Sequence, residues 1–470
     1  MKDILASAAQ VAKATGGKLV AGDAKVTCSA VGTDSRAPLD DSLFVALSGE
    51  NFNGADFCAD AVSGGARILV VTSTDWSQGL EGDLKDAAVV TVGDTLRALG
   101  DLAAWRRAAF KIRLVAITGS NGKTSTKAMT AAVLGGAPGV LSNQGNLNNL
   151  VGMPRSLLSL GKEHNHAVME MGMNRPGEIA RLAEIARPQV GVLTNVHPVH
   201  LEGLGSLQAV AEAKGELLEV LPADGVAVLN ADDPYVLKQA SRTKARQVTF
   251  GRSPTAEVRV VSAGQAGGRV EVELALPGGP LLVHIERPGL HNALNAAAAA
   301  AVGMVEGIEP GKIAERIGRA ALPALRMERL ELGSGRLLVD CYNANPRSVE
   351  AALSTLRDLA DGPAFAVLGD MRELGEASEE LHRKTGQAAA GADLAGLCTF
   401  GAEARAIASG AREGGLAEVE ETESIDEAIQ WTRERLKAGG WVLIKGSRAM
   451  RMERIAAAMA AEHGVAWRKE

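Results

Sequence analysis

The residues best suited to chemistry lie in a short loop that contains two glycines. An apolar run at 112–118 predicts a strand, the loop GSNGKT (119–124) follows it, and a helical pattern comes next. Glycines let backbone N–H groups converge on phosphate oxygens, and the start of a helix adds a favourable dipole. Lys123 could reach the β- and γ-phosphates, and the Thr124 hydroxyl could ligate Mg²⁺. Although GxxGKT is shorter than the standard phosphate-loop spacing, its setting between strand and helix predicts a nucleotide-phosphate site.

Polar side chains also follow several other predicted strands. Ligands of open α/β sheets bind beyond the carboxyl ends of the strands. A single polar strand end could simply be turning towards solvent, but the repetition predicts a site in a cleft between domains. The residues concerned are Glu170, His197, His200, Asp340, Asp370, Lys445 and Arg448.

Glu170 and His200 are candidates for a divalent metal site. A carboxylate and an imidazole at neighbouring strand ends could hold a metal beside the phosphates. The alternative is that His200 is an ordinary loop residue, and the residues alone leave both interpretations open.

Lys214 lies in the apolar stripe of a predicted helix at 206–221. A lysine on an apolar face is costly unless it is neutralised, paired or chemically changed. It could reach solvent from the edge of the stripe, which the pattern alone slightly favours. The alternative is a site lysine, and carbamylation would turn such a lysine into an anion that supports a second metal.

A second candidate anion site follows a short predicted strand near the N-terminus. Arg36, next to Ser35 and Asp34, could grip an anionic or nucleotide-like group. Taken alone, this segment is better explained as a surface turn.

Composition narrows the class of protein. The 470 residues carry a net charge of −6, and only 3% of them are aromatic. The sequence has no basic tract of the kind that binds nucleic acid. The four cysteines are far apart, which suits reduced thiols rather than a disulfide framework or zinc site. No signal peptide and no apolar run long enough to span a bilayer is found. We therefore expect a cytoplasmic protein without a membrane segment.

Alternating apolar runs and helical patterns predict an α/β fold built on parallel sheets. The stretch 257–286 breaks the alternation and predicts appended β-hairpins, and a linker near 322 leads into a further α/β unit. We predict three domains: a small N-terminal α/β domain (1–92), a central parallel-sheet domain of phosphate-loop ATPase type (93–322) and a C-terminal Rossmann-like domain (323–470).

The order of these motifs resembles the Mur ligases, the ATP-dependent amide-forming enzymes of peptidoglycan synthesis. The resemblance covers the whole chain, and its C-terminal motifs are similar to those of the family member that adds a dipeptide. The segments that carry it are AITGSNGKTSTK (116–127), NQGNLNNLVGMP (143–154), MEMGMNRPGEI (169–179), TNVHPVHLEGLGS (194–206), AKGELL (213–218), GLHNALNAAAA (289–299), LRMERLE (325–331), DCYNANPRSVEAAL (340–353), LGDMRELG (368–375) and KGSRAMRMERI (445–455).

The resemblance implies roles for individual residues. ATP would lie against Gly119, Ser120, Asn121, Gly122, Lys123, Thr124, Asn292, Asn295, Arg326 and Asp340, with the two asparagines near adenine, Arg326 at the γ-phosphate and Asp340 at the ribose. Mg²⁺ would be bound by Thr124, Glu170, His200 and Lys214. Lys214 is at a position that is carbamylated in relatives. Lys123, His200, Lys214 and Arg326 would be catalytic, and Ser35, Arg36, Asn148 and Asn149 would contact substrate.

The implied reaction activates the carboxylate of UDP-N-acetylmuramoyl-tripeptide with ATP and joins it to D-alanyl-D-alanine. The implied partners are these small molecules, and a monomer is expected. Two rivals remain: a related ligase that adds a single amino acid, and a nucleotide-dependent switch without ligase activity. One segment departs from the family, because NGADF (53–57) stands where DGHxF is usual. Contacts of the missing Asp and His are not assigned to Asn53 or Ala55.

Overall fold

The computed structural model describes residues 4–49, 52–72 and 87–467, and its strands follow the apolar runs of the sequence. β-Branched and other apolar residues fill these strands, which suits the pleated, buried surfaces of a sheet. In chain order the strands are β1 (Ala6–Ser7), β2 (Lys18–Ala21), β3 (Thr27–Cys28), β4 (Ala30–Gly32), β5 (Ser42–Val45), β6 (Ala66–Val71), β7 (Ala88–Thr91), β8 (Arg113–Thr118), β9 (Val140–Ser142), β10 (His166–Glu170), β11 (Val190–Leu193), β12 (Val226–Asn230), β13 (Arg246–Gly251), β14 (Val258–Ala266), β15 (Arg269–Leu276), β16 (Gly279–Ile285), β17 (Glu328–Leu332), β18 (Gly335–Val339), β19 (Ala364–Gly369), β20 (Gly396–Phe400), β21 (Val419–Thr422) and β22 (Trp441–Lys445).

Helices alternate with these strands, as the sequence predicted. Several of them begin at side-chain caps. For example, Asp94 accepts a hydrogen bond from the N–H of Arg97 at 3.0 Å, and Ser206 accepts one from the N–H of Ala209 at 3.2 Å. The helices are α1 (Ala8–Thr15), α2 (Cys58–Ser63), α3 (Thr95–Ala108), α4 (Lys123–Val133), α5 (Gly152–Leu158), α6 (Glu178–Ala186), α7 (Leu201–Leu204), α8 (Leu207–Glu219), α9 (Pro234–Gln239), α10 (Asn292–Val305), α11 (Pro310–Gly318), α12 (Pro346–Leu359), α13 (Ser378–Ala390), α14 (Ala404–Glu413), α15 (Ile425–Lys437) and α16 (Glu453–Glu462).

The chain forms two compact units, and the first comprises residues 1–116, 137–173 and 177–189. Its five-stranded sheet has the order β2-β7-β6-β5-β4, in which only the pair of β2 and β7 is antiparallel. β9 and β10 run parallel to each other in the same unit. The predicted α/β character of the N-terminal segment is confirmed.

The second unit comprises residues 117–136, 174–176 and 190–470. Strands β11 to β14 pair in parallel, and β15 and β16 continue the sheet as antiparallel hairpins. This confirms the hairpins predicted at 257–286. A separate six-stranded sheet has the order β17-β18-β22-β19-β20-β21, in which β17 is the antiparallel edge strand.

The six-stranded sheet is covered on both faces, which is typical of parallel sheets. Successive residues of β22 show this directly, because Trp441 and Leu443 pack into one buried apolar cluster and Val442 and Ile444 into another. A sheet buried on both sides leaves the strand ends as the places where polar side chains can gather. No described helix is both long and apolar enough to cross a membrane.

Candidate functional site

The glycine loop between β8 and α4 has the backbone that its glycines allow. Gly122 has φ 81°, a conformation that side chains disfavour, and a Cβ there would come within 2.3 Å of the Asn295 side-chain oxygen. A Cβ on Gly119 would come within 1.9 Å of the Thr194 hydroxyl. The loop therefore needs glycine at both positions, and it turns tightly into the start of α4.

Residues that follow β11 hold this loop from one side. The carbonyl of Asn121 accepts hydrogen bonds from Thr194 Oγ1 at 2.7 Å and from Asn195 Nδ2 at 3.1 Å. The N–H of Asn121 donates to Asn195 Oδ1 at 2.8 Å. Ser120 is bound in the same way, since its hydroxyl donates to the carbonyl of His197 and accepts from its N–H. Side-chain and backbone hydrogen bonds thus hold the loop in place.

Two cationic side chains lie at the end of this loop. The Lys123 ammonium donates to the carbonyls of Gly119 at 2.7 Å and Ser120 at 3.2 Å. Arg326 Nη2 donates to the hydroxyl of Thr124 at 3.1 Å, and its guanidinium stacks on the Tyr342 ring with a 4.5 Å distance to the centroid. A lysine, an arginine and a helix start therefore meet where the sequence predicted phosphates.

His200 is bound to a carboxylate that sequence reasoning missed. Its Nδ1 lies 2.5 Å from Glu373 Oε2, and the interaction with His200 lowers the pKa of Glu373 against the opposing effect of burial. The carboxylate beside Nδ1 favours a neutral imidazole with its hydrogen on Nδ1, which leaves the lone pair on Nε2. Glu373 lies in the segment LGDMRELG (368–375), but nothing in the sequence indicates that it pairs with His200.

Lys214 lies inside α8 and is only 2% exposed. Burial lowers the pKa of its ammonium well below the usual value, and the positive charge of Lys123 lowers it further. Among the described carboxylates, none forms an ion pair with it. The interpretation that Lys214 reaches solvent from the edge of the stripe is therefore wrong. Lys214 is a buried amine near the glycine loop.

Asp340 and two asparagines are held by protein groups. Asp340 Oδ2 lies 2.5 Å from the ammonium of Lys445, and its Oδ1 accepts from the N–H of Met327 at 3.3 Å. Asn295 donates to Asn292 Oδ1 at 3.1 Å, and Asn292 donates to the carbonyl of Pro288. Their predicted contacts with ribose and adenine stay predictions.

The first unit contains the other predicted residues. Asn148 Nδ2 donates to Glu170 Oε1 at 2.9 Å, so these two side chains are brought together. Asn149 Oδ1 accepts from the N–H of Gly152 at 2.8 Å near the start of α5. Arg36 is highly exposed and bound to Asp34 at 2.8 Å, with Ser35 between them.

The described side chains do not form a ready-made metal site. Among residues 4–49, 52–72 and 87–467, no group of three or more His, Cys, Asp or Glu side chains could hold a metal ion. All four cysteines are buried and free, as expected for thiols without a disulfide framework.

A parallel α/β sheet with a tight glycine loop at a strand end defines a phosphate-loop α/β protein. Three family models match the chain: "Mur ligase family, catalytic domain" over 27–107, "Mur ligase middle domain" over 117–303 and "Mur ligase, glutamate ligase domain" over 325–448. The chain is 38% identical to UDP-N-acetylmuramoyl-tripeptide–D-alanyl-D-alanine ligase of Escherichia coli, covering 93% of this chain and 94% of the relative. The chain belongs to the Mur ligase family.

Solved structures agree with this assignment. A MurF crystal structure from Acinetobacter baumannii superposes with a TM-score of 0.87 at 29% identity, covering 97% of this chain and 98% of that one. MurF ligase from Thermotoga maritima in complex with ADP gives 0.82 at 27% identity, covering 93% and 98%. The α/β fold predicted from sequence is therefore confirmed, whereas the domain boundaries at 92 and 322 stay predictions.

Proposed function

We propose that this chain uses ATP to join D-alanyl-D-alanine to UDP-N-acetylmuramoyl-tripeptide. The observation that carries the proposal is the bond between Arg326 and Thr124, which brings a second cation to the end of a phosphate loop that already holds Lys123. A transferring γ-phosphate needs such positive charge on more than one side. The name of the Escherichia coli relative supports the choice of peptide substrates.

The proposed reaction has two steps and needs no covalent enzyme intermediate. A carboxylate oxygen of the tripeptide attacks the γ-phosphorus of ATP, the bond to ADP breaks, and an acyl phosphate forms. The amine of D-alanyl-D-alanine then attacks the acyl carbon, loses a proton and expels inorganic phosphate as the amide forms. Lys123 and Arg326 stabilise the charge on the transferring phosphoryl group. Exclusion of water protects the acyl phosphate from hydrolysis.

The residues at the loop fit Mg²⁺, a hard cation that prefers oxygen ligands and shares them with substrate phosphates. Thr124 offers a hydroxyl at the start of α4, which suits a site completed by phosphate oxygens and water. We propose Glu170 as a further oxygen ligand. The metal would neutralise phosphate charge. His200 would act beside it with its hydrogen fixed by Glu373.

Lys214 is best explained as a modified site residue. A buried amine without a carboxylate partner is costly as an ammonium but is nucleophilic when neutral, which is the form that reacts with CO₂. We propose that it is carbamylated in the active enzyme and contributes an anion near Lys123.

The remaining predicted residues would bind the peptide substrates. We propose that Ser35 and Arg36 contact the UDP portion and that Asn148 and Asn149 line the path of the acceptor. The three predicted domains, 1–92, 93–322 and 323–470, would divide UDP binding, ATP binding and ligation. A cytoplasmic monomer suits this role, because both substrates are small molecules.

The proposal is tested by measuring phosphate release with a panel of substrates. We expect release from ATP and Mg²⁺ only when both UDP-N-acetylmuramoyl-tripeptide and D-alanyl-D-alanine are present, and Lys123→Ala should abolish it. Equal release with single amino acids would indicate the related amino-acid-adding activity. Release that is indifferent to both substrates would indicate a nucleotide switch and would overturn the proposal.

A further inference from the structure

Two asparagines from distant parts of the second unit exchange a pair of hydrogen bonds. Asn345 Nδ2 donates to Asn121 Oδ1 at 2.7 Å, and Asn121 Nδ2 donates to Asn345 Oδ1 at 3.3 Å. Asn121 lies in the glycine loop, whereas Asn345 directly precedes α12. This amide pair links the proposed phosphate loop to the C-terminal part of the chain.

The orientation of Asn345 is set by the helix that it caps. Its Oδ1 accepts from the N–H of Ser348 at 3.0 Å, and Ser348 Oγ accepts from the N–H of Asn345 at 3.0 Å, which forms a capping box. Pro346 at the first helical position fixes the backbone further. Since the oxygen must face the helix, the NH₂ group must face Asn121.

Asn121 is equally constrained, because Thr194 and Asn195 hold its backbone carbonyl and N–H. Because its backbone is already bound by these residues, the side chain of Asn121 is free to bind Asn345 at the start of α12. Asn345 is only 5% exposed, so water competes little for this bond.

We propose that Asn345 is a positioning residue for nucleotide binding, which it serves by holding Asn121 and with it the backbone N–H groups of the glycine loop. The proposal rests on the proposed function of this loop as the ATP phosphate site. It also couples the two parts of the site, because whatever moves the start of α12 changes the support of the loop.

Three substitutions separate positioning from helix capping. Serine caps helices about as well as asparagine but is too short to reach Asn121, so Asn345→Ser keeps the cap and loses the pair. Asn345→Asp keeps the cap and an acceptor for Asn121. Asn345→Ala loses both functions.

The primary measurement is calorimetric titration of each variant with ADP and Mg²⁺, together with its melting temperature. We expect Asn345→Ser to weaken ADP binding roughly tenfold at an unchanged melting temperature, because one or two hydrogen bonds are lost. Asn345→Asp should recover part of the affinity, and Asn345→Ala should lose both affinity and thermal stability. With the substrate panel, Asn345→Ser should raise the KM for ATP more than it lowers kcat.

A mutant cycle tests the route of the effect. If Asn345 acts through Asn121, then adding Asn345→Ser to Asn121→Ala should cost no further ADP affinity. Wild-type ADP affinity in Asn345→Ser would overturn the inference and leave Asn345 as a helix cap alone. Wild-type protein that binds ADP but releases phosphate with no substrate pair would instead overturn the proposed function, and the affinity comparison would still decide this inference.

Discussion

At the scale of single residues, Lys214 best illustrates what burial does to chemistry. Its stripe position in α8 was visible in the sequence, but the stripe cannot say whether a lysine sits at the edge or inside. The structure decides this, because the side chain is 2% exposed and burial lowers the pKa of its ammonium. A folded protein keeps such a group only at a cost in stability, which is common at functional sites.

This cost predicts a pH-dependent stability difference between the wild type and Lys214→Met. Lys214 has its usual pKa of 10.5 in the unfolded chain and a lowered pKa in the folded protein. Between these two pKa values, Lys214 carries a proton in the unfolded chain but not in the folded protein. The wild type should therefore gain stability relative to Lys214→Met as pH rises through that window, by up to about 1.4 kcal/mol per pH unit. Below the window, Lys214→Met should be the more stable protein.

The measurement is the difference in unfolding free energy between the two proteins in CO₂-free buffer, from about pH 7 to about pH 9.5. Lys111→Met, at an exposed position, is the matched control and should show no such trend. Parallel stability curves for the wild type and Lys214→Met would mean that Lys214 keeps an ordinary pKa in the fold.

At the scale of elements, the sequence predicted most strands and helices that position the site. The apolar run at 112–118 placed β8 to within one residue at each end, and the hairpins predicted at 257–286 are β14, β15 and β16. These signals are local, since each depends on residues within one element. Asn345 and Glu373 could not be found in this way, because their partners lie far away in the sequence.

The bond between Glu373 and His200 predicts a selective loss of activity. Glu373→Gln removes the charge that orients the imidazole, and we expect kcat of phosphate release to fall roughly tenfold with little change in melting temperature. Glu376→Gln, three residues along in the same exposed segment, should behave like the wild type. Equal activities in the two variants would show that Glu373 does not orient His200 during turnover.

At the scale of the whole molecule, two long-range contacts decide what the second unit can do. Arg326 reaches Thr124, and Asn345 reaches Asn121, so the glycine loop receives one cation and one amide from the C-terminal part of the chain. Motif order in the sequence indicated the family, and the matches over most of the chain confirm it. Motif order could not predict the distances from the glycine loop to Arg326 and Asn345, because these residues are far from the loop in the sequence and approach it only in the folded protein.

The central claim is that the γ-phosphate of ATP activates a peptide carboxylate. It is tested most directly with UDP-N-acetylmuramoyl-tripeptide labelled with ¹⁸O in its terminal carboxylate, together with ATP, Mg²⁺ and D-alanyl-D-alanine. If an acyl phosphate forms, each amide bond made transfers one carboxylate oxygen to inorganic phosphate, and mass spectrometry should find one ¹⁸O per phosphate released. Phosphate without label, formed while the amide product accumulates, would contradict the account.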